Sequence, residues 1–382
     1  MQLKEKITKF ILKNRVAIFF VLLVISILSR FAWLFNPILS LWRFRKVRRI
    51  GNQIANWCFD SEKNIEIFTK ETISHLDWAS FELRHPNYVY GYSKALKNYA
   101  GLPDIYPIKV SYSHGAILDE SIFDTQSKSQ IGLHDYKIPV FLAWGHFERD
   151  MVKKYHTDNR VYVIGTPFLY ADNLFSDEYI NNERNRLGKN LLVFPGHSNY
   201  GVEQNSNWDK LIASINKYKS DFDSIRICMF WKDIQLGLHK FYTEKGYECV
   251  CSGHTEDCNF VSRLKGLLSI CDATITNQVG THVGYSIAMD KPVRVCSPVQ
   301  ISDLISCTSE IPSYFSCSGR LLLNELFIEN ENLIISNEMR DAVEPYWGLR
   351  EKKTKEELRQ IFFEAEQLFR KSPKRFTLLE YR

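Results

Sequence analysis

The stretch ICDATITNQVGTHVGYSIAMDKPVRV, residues Ile270 to Val295, decides the fold. Its pattern predicts a short buried strand over Ala273 to Thr276, a turn over Asn277 to Gly280, a helix over about Thr281 to Met289 and another strand after Pro292. A strand followed by a helix and a second strand is the repeating unit of a parallel sheet. The stretch therefore predicts an α/β protein.

The turn of this unit is suited to a phosphate group. The first backbone N–H groups of a helix have no partner within the helix, and the helix dipole favours negative charge there. Gly280 lets a ligand approach the backbone closely, and Thr281 and His282 add side-chain donors beside Asn277. One such turn by itself is more typical of an ordinary capped helix, so the rest of the chain has to decide between the two interpretations.

The charge of the chain is concentrated at its start. The 382 residues carry a net charge of +5, while residues 1–49 hold eleven Lys and Arg against one Glu, which is +10 and leaves −5 for the remainder. Local basicity favours a membrane surface as partner and argues against a nucleic-acid groove along the body. Nine cysteines, several inside apolar runs, indicate buried thiols in a reducing compartment.

An apolar run follows the first basic residues and predicts a membrane anchor over residues 1–50. Val16 to Ser29 carries no charge, and reading on through Arg30 to Phe35 reaches the roughly 20 residues that a bilayer requires. The segment either spans the membrane or dips into one leaflet and returns at Pro37. A buried core helix is the alternative. We expect an inner-membrane protein whose main body lies on the cytoplasmic side.

Two further sets of strands resemble the opening stretch in pattern. The first comprises Pro107 to Ser113, Ile138 to Trp144 and Val161 to Ile164, and each run is followed directly or within a residue by glycine. The second begins at Leu191 to Phe194 and includes Ile225 to Trp231 and Tyr247 to Cys251. Polar residues Asp172 to Gly188 are interpreted as a hinge, and Lys353 to Arg370 as a final amphipathic helix.

These patterns predict two Rossmann-like domains that face a cleft, after a membrane-associated helical segment. The expected boundaries are 1–50 for the anchor, 51–175 for the N-terminal domain, 186–345 for the C-terminal domain and 346–382 for a closing helix. Ligands of open parallel sheets bind outside the carboxyl ends of the strands. Four of the ten histidines fall at such ends: His114, His146, His197 and His282.

Four motifs follow strands of this arrangement: SHG from Ser113, AWG from Ala143, VIGTP from Val163, and the pattern D-A-x-I-T-N-x-x-G-T-x-x-x-Y-x-x-A-x-x-K-P-V from Asp272 to Val293. Together they resemble the GT-B class of glycosyltransferases, among them the enzymes of bacterial surface polysaccharide (O-antigen or capsule) assembly. The resemblance covers about Pro107 to Cys296. It implies a nucleotide-sugar donor held mainly by the second domain and a lipid-linked glycan acceptor held mainly by the first.

The resemblance also implies roles for individual residues. The donor diphosphate would bind at Asn277, Gly280, Thr281 and His282, with a second contact at Gly196, His197 and Ser198. Lys232 would place a cation at the leaving phosphate.

For the base that takes the proton of the acceptor hydroxyl, His114 is the first candidate and Asp119 or Glu120 the second. Paired glutamates seven residues apart, typical of many retaining members, are missing between Asp272 and Lys291, which favours inversion or another retaining subgroup. The scheme requires no metal and no cofactor.

Two alternatives stay open at this point. Polyol-phosphate transferases of the teichoic-acid type have a similar layout and use a CDP-linked donor. The other alternative is a membrane-tethered scaffold of a polysaccharide assembly complex that has lost catalysis. Cys249, Cys251, His254 and Cys258 suggest a zinc site, but a Cys-x-Cys pair on a strand points its thiols to opposite faces, so free thiols are the preferred interpretation.

Overall fold

A computed structural model of the chain describes residues 87, 89–103, 106–120, 138–155, 159–197, 202–204, 208–255, 257–298, 304–307, 317–328 and 330–371. The predicted anchor and residues 51–86 of the predicted N-terminal domain lie outside these residues. Among the residues that are described, no helix has both the length and the apolar character needed to cross a bilayer.

The first sheet has three parallel strands in the order β1-β2-β3, namely β1 (Val110–Ser111), β2 (Val140–Ala143) and β3 (Arg160–Val163). Helix α1 (Tyr92–Ala100) precedes it, and α2 (His146–Tyr155) connects β2 to β3. All four residues of β2 are buried, as expected for a central strand covered on both faces. The three strands lie within the runs predicted from the sequence or one residue beyond them.

The second sheet has five parallel strands in the order β7-β6-β4-β8-β9. They are β4 (Asn190–Phe194), β6 (Ser224–Met229), β7 (Glu248–Cys251), β8 (Ala273–Thr276) and β9 (Val293–Val295). The prediction of an α/β fold with parallel sheets is confirmed. From β4 the chain proceeds outward through β6 and β7 and then crosses back to β8, so the direction of winding reverses between β4 and β8. Ligands bind at such a switch point in open α/β sheets.

Helices alternate with these strands: α3 (Asp177–Leu187), α4 (Trp208–Asn216), α5 (Trp231–Gln235), α6 (Lys240–Thr243), α7 (Phe260–Ile270) and α8 (Thr281–Ala288). A separate antiparallel pair is formed by β5 (Val202–Gln204) and β10 (Leu304–Cys307). Three helices end the described chain: α9 (Ser318–Ile328), α10 (Asn337–Trp347) and α11 (Lys355–Lys371).

The polar segment interpreted as a hinge contains helix α3. Ser176 caps it by accepting a hydrogen bond from the Tyr179 N–H at 3.2 Å, and Gly188 ends it with φ of +63°. Acidic residues in its first turn and arginines in its last turn complement the helix dipole. Its polarity reflects an exposed helix, which shows that composition alone was a poor guide there.

One hydrophobic core joins the first sheet to the second. It includes Val140 of β2, Val283 of α8 and Leu358 of α11. A second core lies between the other face of the second sheet and helices α4 to α6. Because α11 packs in the core of the first sheet, the last helix returns to the domain in which the described chain begins.

The end of α10 is inserted between the two sheets. The Trp347 Nε1–H donates to the Thr281 carbonyl at 3.0 Å, and a Cβ on Gly284 would lie 2.3 Å from the Trp347 ring. A Cβ on Gly145, just after β2, would lie 2.0 Å from the Pro345 carbonyl. These close approaches hold the carboxyl ends of β2 and β8 against the same helix end.

Candidate functional site

The loops after β4 and β8 are joined at the switch point by one side chain. Asn277 has no exposed surface, and its Oδ1 accepts a hydrogen bond from the Gly196 N–H at 2.5 Å. The Thr276 hydroxyl donates to the Gln278 carbonyl at 2.9 Å and accepts from the Gln278 N–H at 3.1 Å. The two turns that were predicted to contact the nucleotide-sugar donor are therefore held next to each other.

This hydrogen bond also fixes which way the Asn277 amide points. Since Oδ1 must face the Gly196 N–H, the Nδ2 group and its two hydrogens face the other side. Nδ2 is buried and has no hydrogen-bond partner among the described residues. A buried hydrogen-bond donor without a partner destabilises the fold by about 1–3 kcal/mol. A bound ligand that supplies an acceptor would remove this cost.

His282 lies at the start of α8 and carries a second buried polar atom without a partner among the described residues. Its ring stacks on Phe194 at 4.7 Å and folds back over Gly280, where a Cβ would lie 3.1 Å from the ring. Its Nε2 is out of contact with solvent and has no partner in the described part of the chain. Burial, with smaller effects from the charges of His197 and Arg320, lowers the pKa of His282 to about 3. The imidazole is therefore neutral at physiological pH.

Three further residues were predicted to bind the nucleotide-sugar donor: His197, Ser198 and Lys232. His197 is exposed, and its ring stacks on Phe230 at 4.2 Å just beyond the end of β6. Lys232 does not end a strand as the sequence predicted, because β6 stops at Met229 and helix α5 begins at Trp231. Its Nζ lies 5.8 Å from the centre of the Trp231 ring. Ser198 lies outside the described residues.

The loop after β1 contacts this turn directly. A Cβ on Gly115 would lie 3.3 Å from the Thr281 hydroxyl oxygen. The Tyr92 hydroxyl donates to the His114 carbonyl at 3.3 Å and lies 2.7 Å from the Tyr285 hydroxyl of α8. His114 is half-buried. The structure thus brings the His114-Gly115 loop of the first sheet to the phosphate-type turn of the second.

The two carboxylates proposed as second choices for the base are engaged elsewhere. Asp119 Oδ2 accepts hydrogen bonds from the Ser318 N–H at 3.3 Å and from the Ser318 hydroxyl at 2.9 Å, which caps the start of α9. Glu120 pairs with Lys154 and Tyr155 at the surface, and hydrogen bonds from both lower its pKa. His114 is the base candidate whose loop contacts the start of α8.

Two buried ionisable residues near the site were missed by the sequence reasoning. Glu148 in the first turn of α2 is 2% exposed, and its Oε2 accepts from the Trp144 N–H at 2.7 Å. Burial raises the pKa of Glu148 to about 7, although the Ser113 hydroxyl and the Trp144 N–H act in the opposite direction. Arg320 of α9 is also 2% exposed. In sequence, Glu148 is indistinguishable from an ordinary acidic residue at a helix start.

No metal site is apparent in the part of the chain that the structure covers. Its His, Cys, Asp and Glu side chains form no group of three or more that could hold a metal ion. Cys249 and Cys251 are buried free thiols, and His254 packs on Trp231 with ring centres 4.0 Å apart.

Comparisons with known proteins give only weak similarities. No family model and no curated protein matches the chain. The wall teichoic acid polymerase TagF is 11% identical with a TM-score of 0.38, over 69% of this chain and 68% of TagF. UDP-GlcNAc 2-epimerase from Neisseria meningitidis, bound to UDP-GlcNAc, is 13% identical with a TM-score of 0.39, over 74% and 81%. The same enzyme from Methanocaldococcus jannaschii, with UDP-GlcNAc and UDP, is 12% identical with a TM-score of 0.34, over 58% and 64%.

Proposed function

We propose that this chain is a glycosyltransferase that transfers a sugar from a nucleotide-sugar donor to a lipid-linked or polysaccharide acceptor in the synthesis of a cell-surface glycan. In this proposal the two sheets belong to the two Rossmann-like domains of a GT-B protein, residues 51–175 and 186–345. The observation that carries the proposal is the pair of buried atoms at the switch point, Asn277 Nδ2 and His282 Nε2, which have no partner within the described residues.

These atoms favour a phosphate-containing ligand. The Asn277 amide offers N–H donors, and Gly280 precedes α8 without any side-chain cap, so backbone N–H groups at the helix start need acceptors too. Phosphate oxygens are acceptors with negative charge and suit both groups. The Gly196 loop and the Gly280 loop lie side by side through Asn277, which supports a diphosphate that spans the two.

The opposite loop supplies the base in this proposal. His114 would take the proton of an acceptor hydroxyl while the hydroxyl oxygen attacks the anomeric carbon. The bond from that carbon to the diphosphate breaks, and the nucleoside diphosphate leaves with the bonding electrons. Because Gly115 lies against Thr281, the base and the leaving group share one small region. Inversion at the anomeric carbon without a metal is part of the proposal.

Membrane attachment also belongs to the proposal. Residues 1–49 would bind the inner membrane from the cytoplasmic side through their net charge of +10, close to a lipid-linked acceptor. Deleting residues 1–45 should move the protein from the membrane pellet to the supernatant. An equal fraction of truncated and full-length protein in the pellet would contradict this role.

The donor class is tested by incubating the purified full chain with a panel of nucleotide-sugars and CDP-polyols and a lipid-linked acceptor. We expect release of a nucleoside diphosphate and a new glycosidic bond, and we expect both to be lost in His114→Ala. Release of CMP from a CDP-polyol would establish polyol-phosphate transfer instead. Failure of the protein to bind any nucleotide by calorimetry would favour the non-catalytic scaffold.

A further inference from the structure

Two buried tyrosine hydroxyls connect the two loops of the candidate site. Tyr92 in α1 is 1% exposed and Tyr285 in α8 is 2% exposed, and their hydroxyl oxygens lie 2.7 Å apart. The Tyr92 hydroxyl is also 3.3 Å from the His114 carbonyl oxygen. The two residues are 193 positions apart in sequence, and their contact joins helix α1 to helix α8.

The Tyr92 hydroxyl lies within hydrogen-bond distance of two oxygen atoms. The His114 carbonyl can only accept, so the Tyr92 hydroxyl is the donor in that contact. In the contact between the two tyrosine hydroxyls either oxygen can carry the donated hydrogen. Burial is the main cause that raises the pKa of each tyrosine, so both hydroxyls keep their hydrogens at neutral pH. The two hydroxyls thus connect Tyr285, through Tyr92, to the backbone of His114.

Packing leaves both rings little freedom. The Tyr285 ring stacks on Phe168 with centres 4.2 Å apart and planes 9° apart. The Tyr92 ring meets Trp144 edge-on, with centres 5.7 Å apart and planes at 84°. Because Tyr285 belongs to α8 and its ring is closely packed, we expect a displacement of α8 to move the Tyr285 hydroxyl with it.

Tyr285 also occupies a position from which it can respond to the phosphate-type turn. It lies four residues after Thr281, one helical turn along α8, and therefore on the same face. The Thr281 hydroxyl oxygen would lie 3.3 Å from a Cβ on Gly115, the neighbour of His114. The start of α8 and the His114 loop are thus linked both by van der Waals contact and by the tyrosine chain.

We propose that Tyr92 and Tyr285 are positioning residues that fix the His114 loop relative to the start of α8. Binding of the nucleotide-sugar donor at that helix start would then order the His114 side chain, which acts as the base. This inference rests on the proposed function for its catalytic consequence, but the coupling itself is a property of the fold. Tyr92 and Tyr285 touch no substrate in this scheme. They act on His114 through its carbonyl group.

The test uses substitutions that remove only the hydroxyl oxygen: Tyr285→Phe, Tyr92→Phe and the double variant. Tyr242→Phe is the matched control, because Tyr242 is fully buried and its hydroxyl has no hydrogen-bond partner in the described part of the chain. In the transfer assay we expect each single variant to lower kcat about tenfold with little change in the donor KM, since misplacement of a base costs rate more than binding. The double variant should be no slower than the singles, because both remove one chain.

Hydrogen exchange of the peptide 112–118 gives a readout that needs no activity. Without ligand, Tyr285→Phe should speed exchange in this peptide, whereas Tyr242→Phe should leave it as in the wild type. A nucleoside diphosphate should slow the exchange in the wild type but not in Tyr285→Phe. Unchanged ligand-free exchange in Tyr285→Phe would overturn the coupling, whatever the protein catalyses. Strictly multiplicative losses in the double variant would also overturn it, and absence of nucleotide binding would overturn only the proposed function.

Discussion

Replacing Glu148 by Gln should change how the stability of the fold depends on pH. The carboxyl is 2% exposed at the carboxyl end of β2, and burial raises its pKa from 4.5 to about 7. Gln has nearly the same shape and retains an oxygen that can accept from the Trp144 N–H. It has no proton to lose, so the comparison isolates the titration of one group.

The direction and the size of the pH-dependent change in the free energy of unfolding follow from the linkage between folding and protonation. Between pH 4.5 and 7 the unfolded chain releases the Glu148 proton while the folded chain retains it. The stabilisation of the fold by protonated Glu148 is therefore complete below pH 4.5 and is lost as the pH rises through 7. A difference of about 2.5 pKa units at about 1.36 kcal/mol each corresponds to about 3 kcal/mol.

Urea unfolding of the wild type and Glu148→Gln at a series of pH values from 4.5 to 8 measures this directly. The free energy of unfolding of the wild type minus that of the variant should fall by about 3 kcal/mol across the series. Glu338→Gln, at an exposed position in the first turn of α10, controls for the loss of a surface carboxyl. A difference that stays constant with pH would refute the reasoning, because it would show that Glu148 is already ionised in the folded protein.

Three further predictions concern the contacts around α8. Gly284→Ala should destabilise the fold by about 1–3 kcal/mol in thermal unfolding, because its Cβ would lie 2.3 Å from the Trp347 ring; an unchanged melting temperature would contradict this contact. Trp347→Phe removes the hydrogen bond to the Thr281 carbonyl and should cost about 1 kcal/mol, and no loss would show that the bond is dispensable. Since His282 is neutral, wild type and His282→Gln should show parallel pH dependence of nucleotide affinity from pH 8 to 5; affinity that rises on acidification only in the wild type would show a charged imidazole.

The elements that the sequence predicted well are those with strong local signals. The buried run Ala273–Thr276 and the glycine before Thr281 specify a strand and a helix start, and the structure has β8 and α8 at these places. Helix α3 was interpreted as a hinge because its residues are mostly polar, although Ser176 and Gly188 carried the signals of its ends. Lys232 was assigned to a strand end because Phe230 and Trp231 extend the apolar run of β6 beyond the point where the ladder stops.

The parts of the candidate site that the sequence did not reveal depend on long-range contacts. That histidines follow several strands could be read from the chain, but nothing local relates Tyr92 to Tyr285. The raised pKa of Glu148 is caused by burial, which its position in a polar helix start conceals. The hydrogen bond between Asn277 and Gly196 requires that β4 and β8 be neighbours in the sheet. This pairing is known only from the folded structure, because β6 and β7 separate the two strands in sequence.

The most direct test of the central claim is calorimetric titration of the full chain with a nucleoside diphosphate, in the wild type and in Asn277→Asp. Aspartate keeps an oxygen for the Gly196 N–H but replaces the inward-facing donor by a negative charge. Asn216→Asp makes the same change at an exposed position at the end of α4. We predict saturable binding of one nucleotide to the wild type and to Asn216→Asp, weakened about 100-fold or more in Asn277→Asp. Equal affinity in all three proteins would place the nucleotide elsewhere and contradict the account.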